Sequence, residues 1–152
     1  MQSSSKTVLL VDDGQDERLL FDRAAKKACV SFEMRFATDG EDALAYLSGT
    51  GPYADRGRFQ MPDLVVLDLN MPRMTGFEVL EWIRKHPHLR ELPVIMFTAS
   101  NHHTDIKRAY ELTANSYLVK PMSLIALVDT ITMIDAYWVK LSCLPKVGLY
   151  SP

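Results

Sequence analysis

The sequence predicts a single α/β domain in which a mostly parallel five-stranded sheet is wound on both faces by helices. Two observations carry that prediction. Three unbroken apolar runs, Val8-Leu9-Leu10-Val11, Leu64-Val65-Val66-Leu67 and Val94-Ile95-Met96-Phe97, have the pattern of strands covered on both faces. Between them the apolar spacing turns helical, so strands and helices alternate along the chain. Parallel neighbours need such crossovers, and their right-handedness leaves few topologies.

The first strand, residues 8–11, leads into a helix over 16–29, where Leu19, Leu20, Ala24 and Ala28 form a stripe among charges. Phe32-Glu33-Met34-Arg35-Phe36 alternates, as suits a strand at the sheet edge. A short second helix covers 41–47, and the third strand is 64–67. Thr75-Gly76-Phe77-Glu78 has capping-box spacing and opens a third helix carrying Val79, Leu80 and Ile83. The fourth strand, 94–97, precedes a helix over about 104–112. Tyr117-Leu118-Val119 is the fifth strand. A fifth helix starts near Ser123 and sets Leu124, Leu127, Val128, Ile131 and Ile134 on one face.

Composition removes several function classes. The 152 residues hold 17 Lys+Arg and 19 Asp+Glu, a net charge of −2, which argues against a dedicated nucleic-acid binder. No run reaches the roughly 18 apolar residues of a membrane helix, and no secretory signal opens the chain. A cytoplasmic protein without membrane contact is the expectation. Cys29 and Cys143 have no metal-ligand spacing and read as reduced thiols. His86, His88, His102 and His103 lack the spacing and partners of a zinc site and read as surface residues.

In such sheets the site lies beyond the carboxyl ends of the strands. Asp12-Asp13 ends the first strand, Asp68 the third, Thr98 the fourth and Lys120-Pro121 the fifth. Three carboxylates gathered there repel one another, each pair by about 4 kcal/mol at 4 Å and an effective dielectric of about 20. A hard divalent cation held by oxygens relieves that repulsion, and few carboxylates plus water suit Mg²⁺. With Lys120 and the Thr98 hydroxyl, the set makes an electrostatic cradle for a phosphoryl group.

These motifs, Val11-Asp12-Asp13, Leu67-Asp68-Leu69-Asn70-Met71-Pro72 with Gly76, Phe97-Thr98-Ala99-Ser100 and Val119-Lys120-Pro121, resemble a response-regulator receiver domain of two-component signalling. The resemblance implies the flavodoxin-like strand order 2-1-3-4-5 and a receiver domain over residues 6–140; residues 141–152 read as a C-terminal tail, and no DNA-binding domain is expected after it. It implies that Asp68 accepts a phosphoryl group from a sensor histidine kinase. Asp12, Asp13 and Asp68 would hold Mg²⁺ together with the backbone carbonyl of Asn70. Thr98 and Lys120 would bind phosphoryl oxygens, Tyr117 would act with Thr98 as the switch, and the peptide before Pro121 would be cis. Such a protein signals through altered contacts and catalyses only its own phosphorylation and dephosphorylation.

The long interval 49–62 contains Gly49-Thr50-Gly51-Pro52 and reads as a functional or mobile loop, suited to partner contact. Beyond the core face of the fifth helix, Ala126, Met133, Tyr137 and Trp138 remain apolar. With Tyr117 and Leu118 they suggest a homodimer interface, unless the tail folds back over them. The loop with Pro52-Tyr53-Ala54-Asp55 and the Tyr137-Trp138 ending resemble the stand-alone receivers paired with bacterial and cyanobacterial phytochrome kinases. Two other readings share the fold. One is a degenerate receiver serving only as an interaction module. The other is an aspartate-nucleophile phosphohydrolase, which needs a second Asp where this chain has Asn70.

Overall fold

The computed structural model describes residues 5–148; the expected tail residues 149–152 and the extreme amino terminus lie outside the described residues. The chain alternates as β1 (Thr7–Val11), α1 (Gln15–Lys27), β2 (Glu33–Ala37), α2 (Gly40–Ser48), β3 (Leu64–Leu67), α3 (Gly76–Lys85), β4 (Val94–Thr98), α4 (His103–Glu111), β5 (Ser116–Val119) and α5 (Leu124–Ile134). All neighbouring strands pair in parallel, in the order β2-β1-β3-β4-β5. Strand alternation divides the core in two. Leu9, Val11, Val65, Leu67, Val94 and Met96 face α2 and α3, and Val8, Leu10, Leu64, Val66, Ile95 and Phe97 face α1 and α5. β1, β3 and β4 are buried throughout, as their unbroken apolar runs require, whereas the edge strands β2 and β5 are only partly covered.

Local chemistry sets the helix ends. The Thr75 hydroxyl accepts from the Glu78 N–H and the Glu78 carboxylate accepts from the Thr75 N–H, closing the capping box at α3. Asp39 and Ser123 cap α2 and α5 in the same sense. α1 stops at Lys27, two residues short of the expected end, because Cys29 takes a left-handed conformation with φ 52°. At the carboxyl end of α5 the chain widens into π-helical turns over Asp135–Leu141. Asp135 is buried there and accepts from the Ser31 N–H and hydroxyl at 3.2 and 2.7 Å, tying α5 to the α1–β2 turn.

The 49–62 segment is not loose. After one 3-10 turn (Gly51–Tyr53) its rings pack together, Tyr53 lying 4.9 Å from Tyr46 and 5.1 Å from Phe59. The Tyr53 hydroxyl donates to Asp42 at 2.7 Å, and burial together with that carboxylate pushes its pKa up to about 12. Arg56 donates to the carbonyls of Tyr46, Leu47 and Tyr53, occupying the carboxyl end of α2. The segment joins β3 at the edge of the sheet opposite Asp68. The carboxyl-terminal residues run beneath the sheet: Val139 is buried with the α1–α5 side, and Val147 with the α2–α3 side. Gly148 N–H donates to the His88 carbonyl at 3.0 Å. Among the described residues, those of the tail up to Gly148 leave Ile125, Met133 and Tyr137 of the α5 region exposed.

Candidate functional site

The register of the sheet delivers the site. Val11 pairs with Leu67, Leu67 with Met96, and Thr98 with Val119, so the next residues of β1, β3 and β5 emerge side by side. Backbone bonds continue past the strands: Asp68 N–H donates to Val11 O at 2.9 Å, and Lys120 N–H to Thr98 O at 2.8 Å. Asp12, Asp68 and Thr98 are buried. Behind Asp68 the chain turns tightly: Gly76 N–H donates to Leu69 O at 2.8 Å, and Gly76 lies against the Asp68 carbonyl so closely that a Cβ there would fall 2.2 Å from it. Only glycine fits that approach.

Lys120 is the electrostatic centre. Its Nζ donates to Asp12 Oδ2 at 2.8 Å, to Asp68 Oδ2 at 3.2 Å and to Glu17 Oε2. Asp12 is fixed further by the Gly14 N–H on its Oδ1 at 2.9 Å, and Arg18 donates to its carbonyl at 2.7 Å. Burial alone would lower the Lys120 pKa, but the bonds to Asp12 and Glu17 and the charge of Asp68 outweigh it, and the ammonium is held protonated. Burial pushes the Asp68 carboxyl up. Lys120 opposes this, the charges of Asp12 and Glu17 add to it, and the net shift is upward.

That shift has a definite sign for stability. A carboxyl whose pKa rises on folding holds its proton better in the folded state. Its contribution is therefore fully present below the ordinary value of 3.8 and is lost as the pH rises through the raised folded value. At neutral pH the charged Asp68 weighs against the fold. Asp68→Asn should melt above wild type at pH 7 in a metal-free buffer, and the gap should close as the pH falls below 4, which thermal melts across pH measure. A lower melting temperature for the variant at pH 7 would contradict this assignment of charge.

Of the residues singled out in the sequence, the structure brings Asp12, Asp68, Thr98 and Lys120 together. Asp13 is exposed on the rim, as is Asn70. The carboxylate that joins Asp12 and Asp68 is Glu17, with one oxygen of each within 4.8 Å of the others. Glu17 lies in the first turn of α1, where an acid reads simply as a partner of the helix dipole, so sequence reasoning missed it. The resemblance also implies a cis peptide before Pro121; none of the described peptide bonds is cis. The trans form is favoured at X–Pro by about 0.5–1 kcal/mol, and Lys120 reaches Asp12 and Asp68 from it.

Tyr117 points from β5 toward the β4–α4 loop. Its hydroxyl donates to the Ser100 carbonyl at 2.9 Å, Ser100 N–H donates to Thr98 Oγ1 at 3.3 Å, and the Ser100 hydroxyl donates to Asp105 at 2.6 Å. One loop thus links the buried threonine to a half-buried ring near the surface. Among the expected interface residues, Met133 and Tyr137 stand 66% and 54% exposed, whereas Tyr117, Leu118, Ala126 and Trp138 are half-buried within the protomer. Val119, Met122, Ile125 and Leu141 are further exposed apolar residues of β5, the following loop and the α5 region.

A family model described as the response regulator receiver domain matches residues 8–132. The chain belongs to the response regulator receiver family. This receiver is 34% identical over 140 residues to the response regulator Rcp1 of Synechocystis sp., covering 92% of this chain and 93% of Rcp1. Response regulator RPA3017, from red light signaling of R. palustris, superposes with a TM-score of 0.88 at 35% identity, over 93% of this chain and 99% of that one. The phosphorylated cyanobacterial phytochrome response regulator RcpA gives 0.85 at 34% identity, over 94% and 100%. A Mn²⁺-bound form of Rcp1 gives 0.81 at 33% identity, over 93% and 99%. The strand order of this receiver is that of its solved neighbours. No helix among the described residues is long and apolar enough to cross a membrane.

Proposed function

We propose that this receiver is a phosphoacceptor, phosphorylated on Asp68 by a sensor histidine kinase and acting through changed protein contacts. The observation that carries the reading is the buried Asp68 carboxylate within reach of Lys120 Nζ, beside the buried Thr98 at the same sheet edge. The donor set suits a small hard cation: Asp12 and Asp68 present carboxylate oxygens close together, and Lys120 offsets part of their repulsion. Asp12, Asp13, Asp68 and the Asn70 carbonyl would hold Mg²⁺, which when bound supplies positive charge against the phosphoryl oxygens.

Asp68 Oδ attacks the phosphorus of a phosphohistidine. The P–N bond breaks, the imidazole nitrogen keeps the electron pair and an acyl phosphate forms on Asp68. Lys120 then exchanges its bond to Asp68 for one to a phosphoryl oxygen, and the Thr98 hydroxyl turns from Ser100 N–H toward another. Since Thr98 and Tyr117 are both bonded to Ser100, that turn reaches the ring and the face beside it. The apolar strip of Val119, Met122, Ile125, Met133, Tyr137 and Leu141 suits a homodimer built on β5 and α5, in which Tyr117, Leu118, Ala126 and Trp138 back the interface. The likeness to red-light and phytochrome response regulators supports a phytochrome-type kinase as the donor.

Intact-mass analysis after incubation with acetyl phosphate tests the reading. A gain of about 80 Da, the mass of HPO₃, should appear with Mg²⁺ and not in chelator. No gain under any condition would leave only the interaction-module reading. Tyr117→Ala should take up phosphoryl at a rate within about threefold of wild type, because it touches no reacting atom. The change in elution volume that beryllium fluoride induces in wild type should be lost in this variant. Equal loss of phosphorylation and of the elution change would contradict a switch role.

A further inference from the structure

The ammonium of Lys120 has three N–H groups, and three carboxylates take them: Asp12, Asp68 and Glu17. Asp12 is buried and anchored by Gly14, and Asp68 is the proposed phosphoacceptor. Glu17 differs from both. It reaches down from the first turn of α1, its side chain is 55% exposed, and it is paired directly with the Lys120 ammonium. A phosphoryl group on Asp68 would need one of those N–H groups and would turn a carboxylate of single charge into an acyl phosphate of about two, adding about one negative charge within a few ångströms of Glu17. Glu17 therefore opposes the phosphorylated state twice, by occupying the lysine and by repelling the dianion.

We propose that Glu17 is a positioning residue that holds Lys120 back from Asp68 and so limits how firmly the site grips a phosphoryl group. The proposal rests on the phosphoacceptor reading of Asp68. It sets Glu17 apart from a metal ligand, although its oxygen lies within 4.8 Å of those of Asp12 and Asp68, because the space between them is filled by the ammonium.

Equilibrium binding of beryllium fluoride, a phosphoryl mimic, at saturating Mg²⁺ tests this in wild type, Glu17→Gln and Asp16→Asn. Glu17→Gln should bind roughly threefold to tenfold more tightly, the scale of one half-exposed charge. The gain should shrink as salt is raised, since a merely structural change would not respond to screening. Asp16→Asn removes the same charge from the same helical turn without touching Lys120 and should stay within about twofold of wild type. Equal affinities of Glu17→Gln and wild type would overturn the proposal, as would an equal gain in Asp16→Asn. A tenfold or larger fall in Mg²⁺ affinity of Glu17→Gln by calorimetry would overturn it in favour of a ligand role, on the scale of a lost metal partner. Failure of the phosphoacceptor reading itself looks different: wild type would bind no beryllium fluoride and gain no mass with acetyl phosphate.

Discussion

Gly76→Ala should lower the rate of Asp68 phosphorylation by more than tenfold and destabilise the protein by about 2–3 kcal/mol. The opposing term is known: alanine is favoured over glycine inside a helix by about 1 kcal/mol. The clash wins because of what the new Cβ meets. It would lie 2.2 Å from the Asp68 carbonyl oxygen and 2.8 Å from Leu69 Cα, and neither is the tip of a flexible side chain. The β3–α3 turn has to open by about an ångström, and Gly76 N–H then loses its 2.8 Å bond to Leu69 O. A displacement of that size at the nucleophile costs on the order of a hundredfold in rate when geometry is tightly set. Acetyl phosphate labelling rates and thermal melts check both parts; a variant more stable than wild type with unchanged labelling would refute the packing argument.

The second large effect lies at the opposite end of the sheet. Arg84→Met should cost about 2–4 kcal/mol, which in a chain of this size lowers the melting temperature by about 5–12 °C. The guanidinium donates to the carbonyls of Arg90 and Leu92, to the Thr113 carbonyl and hydroxyl, and to Asn115 Oδ1, all between 2.7 and 3.0 Å. Asn115 in turn accepts from Val94 N–H at 2.8 Å, and Thr113 holds a left-handed φ of 66°. One planar fork thus closes the turns before β4 and β5 and fixes where both strands begin. Exposure of several of these bonds discounts each one, and their number carries the effect. Arg84→Lys should recover less than half of the loss, because an ammonium cannot reproduce the fork. Chemical denaturation of the three proteins measures it, with full recovery by lysine as the contrary result.

The parts legible in the sequence are those set by local pattern. β1, β3 and β4 announce themselves because strands covered on both faces are unbroken apolar runs, and the parallel crossover rule then places their carboxyl ends together. Asp12, Asp68, Thr98 and Lys120 follow from that placement alone. The parts not legible depend on which distant side chains meet. Glu17 carries no sign of its reach to Lys120, 103 residues away, because an acid in a first helical turn is ordinary. The 49–62 segment has the glycine and proline of a loose loop, yet Tyr46, Tyr53 and Phe59 pack it onto α2, a contact no local spacing shows. Asp13 follows Asp12 directly, and the turn of the chain sends the two in different directions, one buried and one to the rim.

The measurement that bears most directly on the account is the location of the phosphoryl group. Borohydride reduces an acyl phosphate to an alcohol, so a phosphorylated aspartate becomes homoserine at that position. After labelling with acetyl phosphate and Mg²⁺, reduction and peptide fragmentation, homoserine is expected at position 68 and absent in Asp68→Asn. Homoserine at Asp12 or Asp13 instead, or labelling undiminished in Asp68→Asn, would contradict the account at its root.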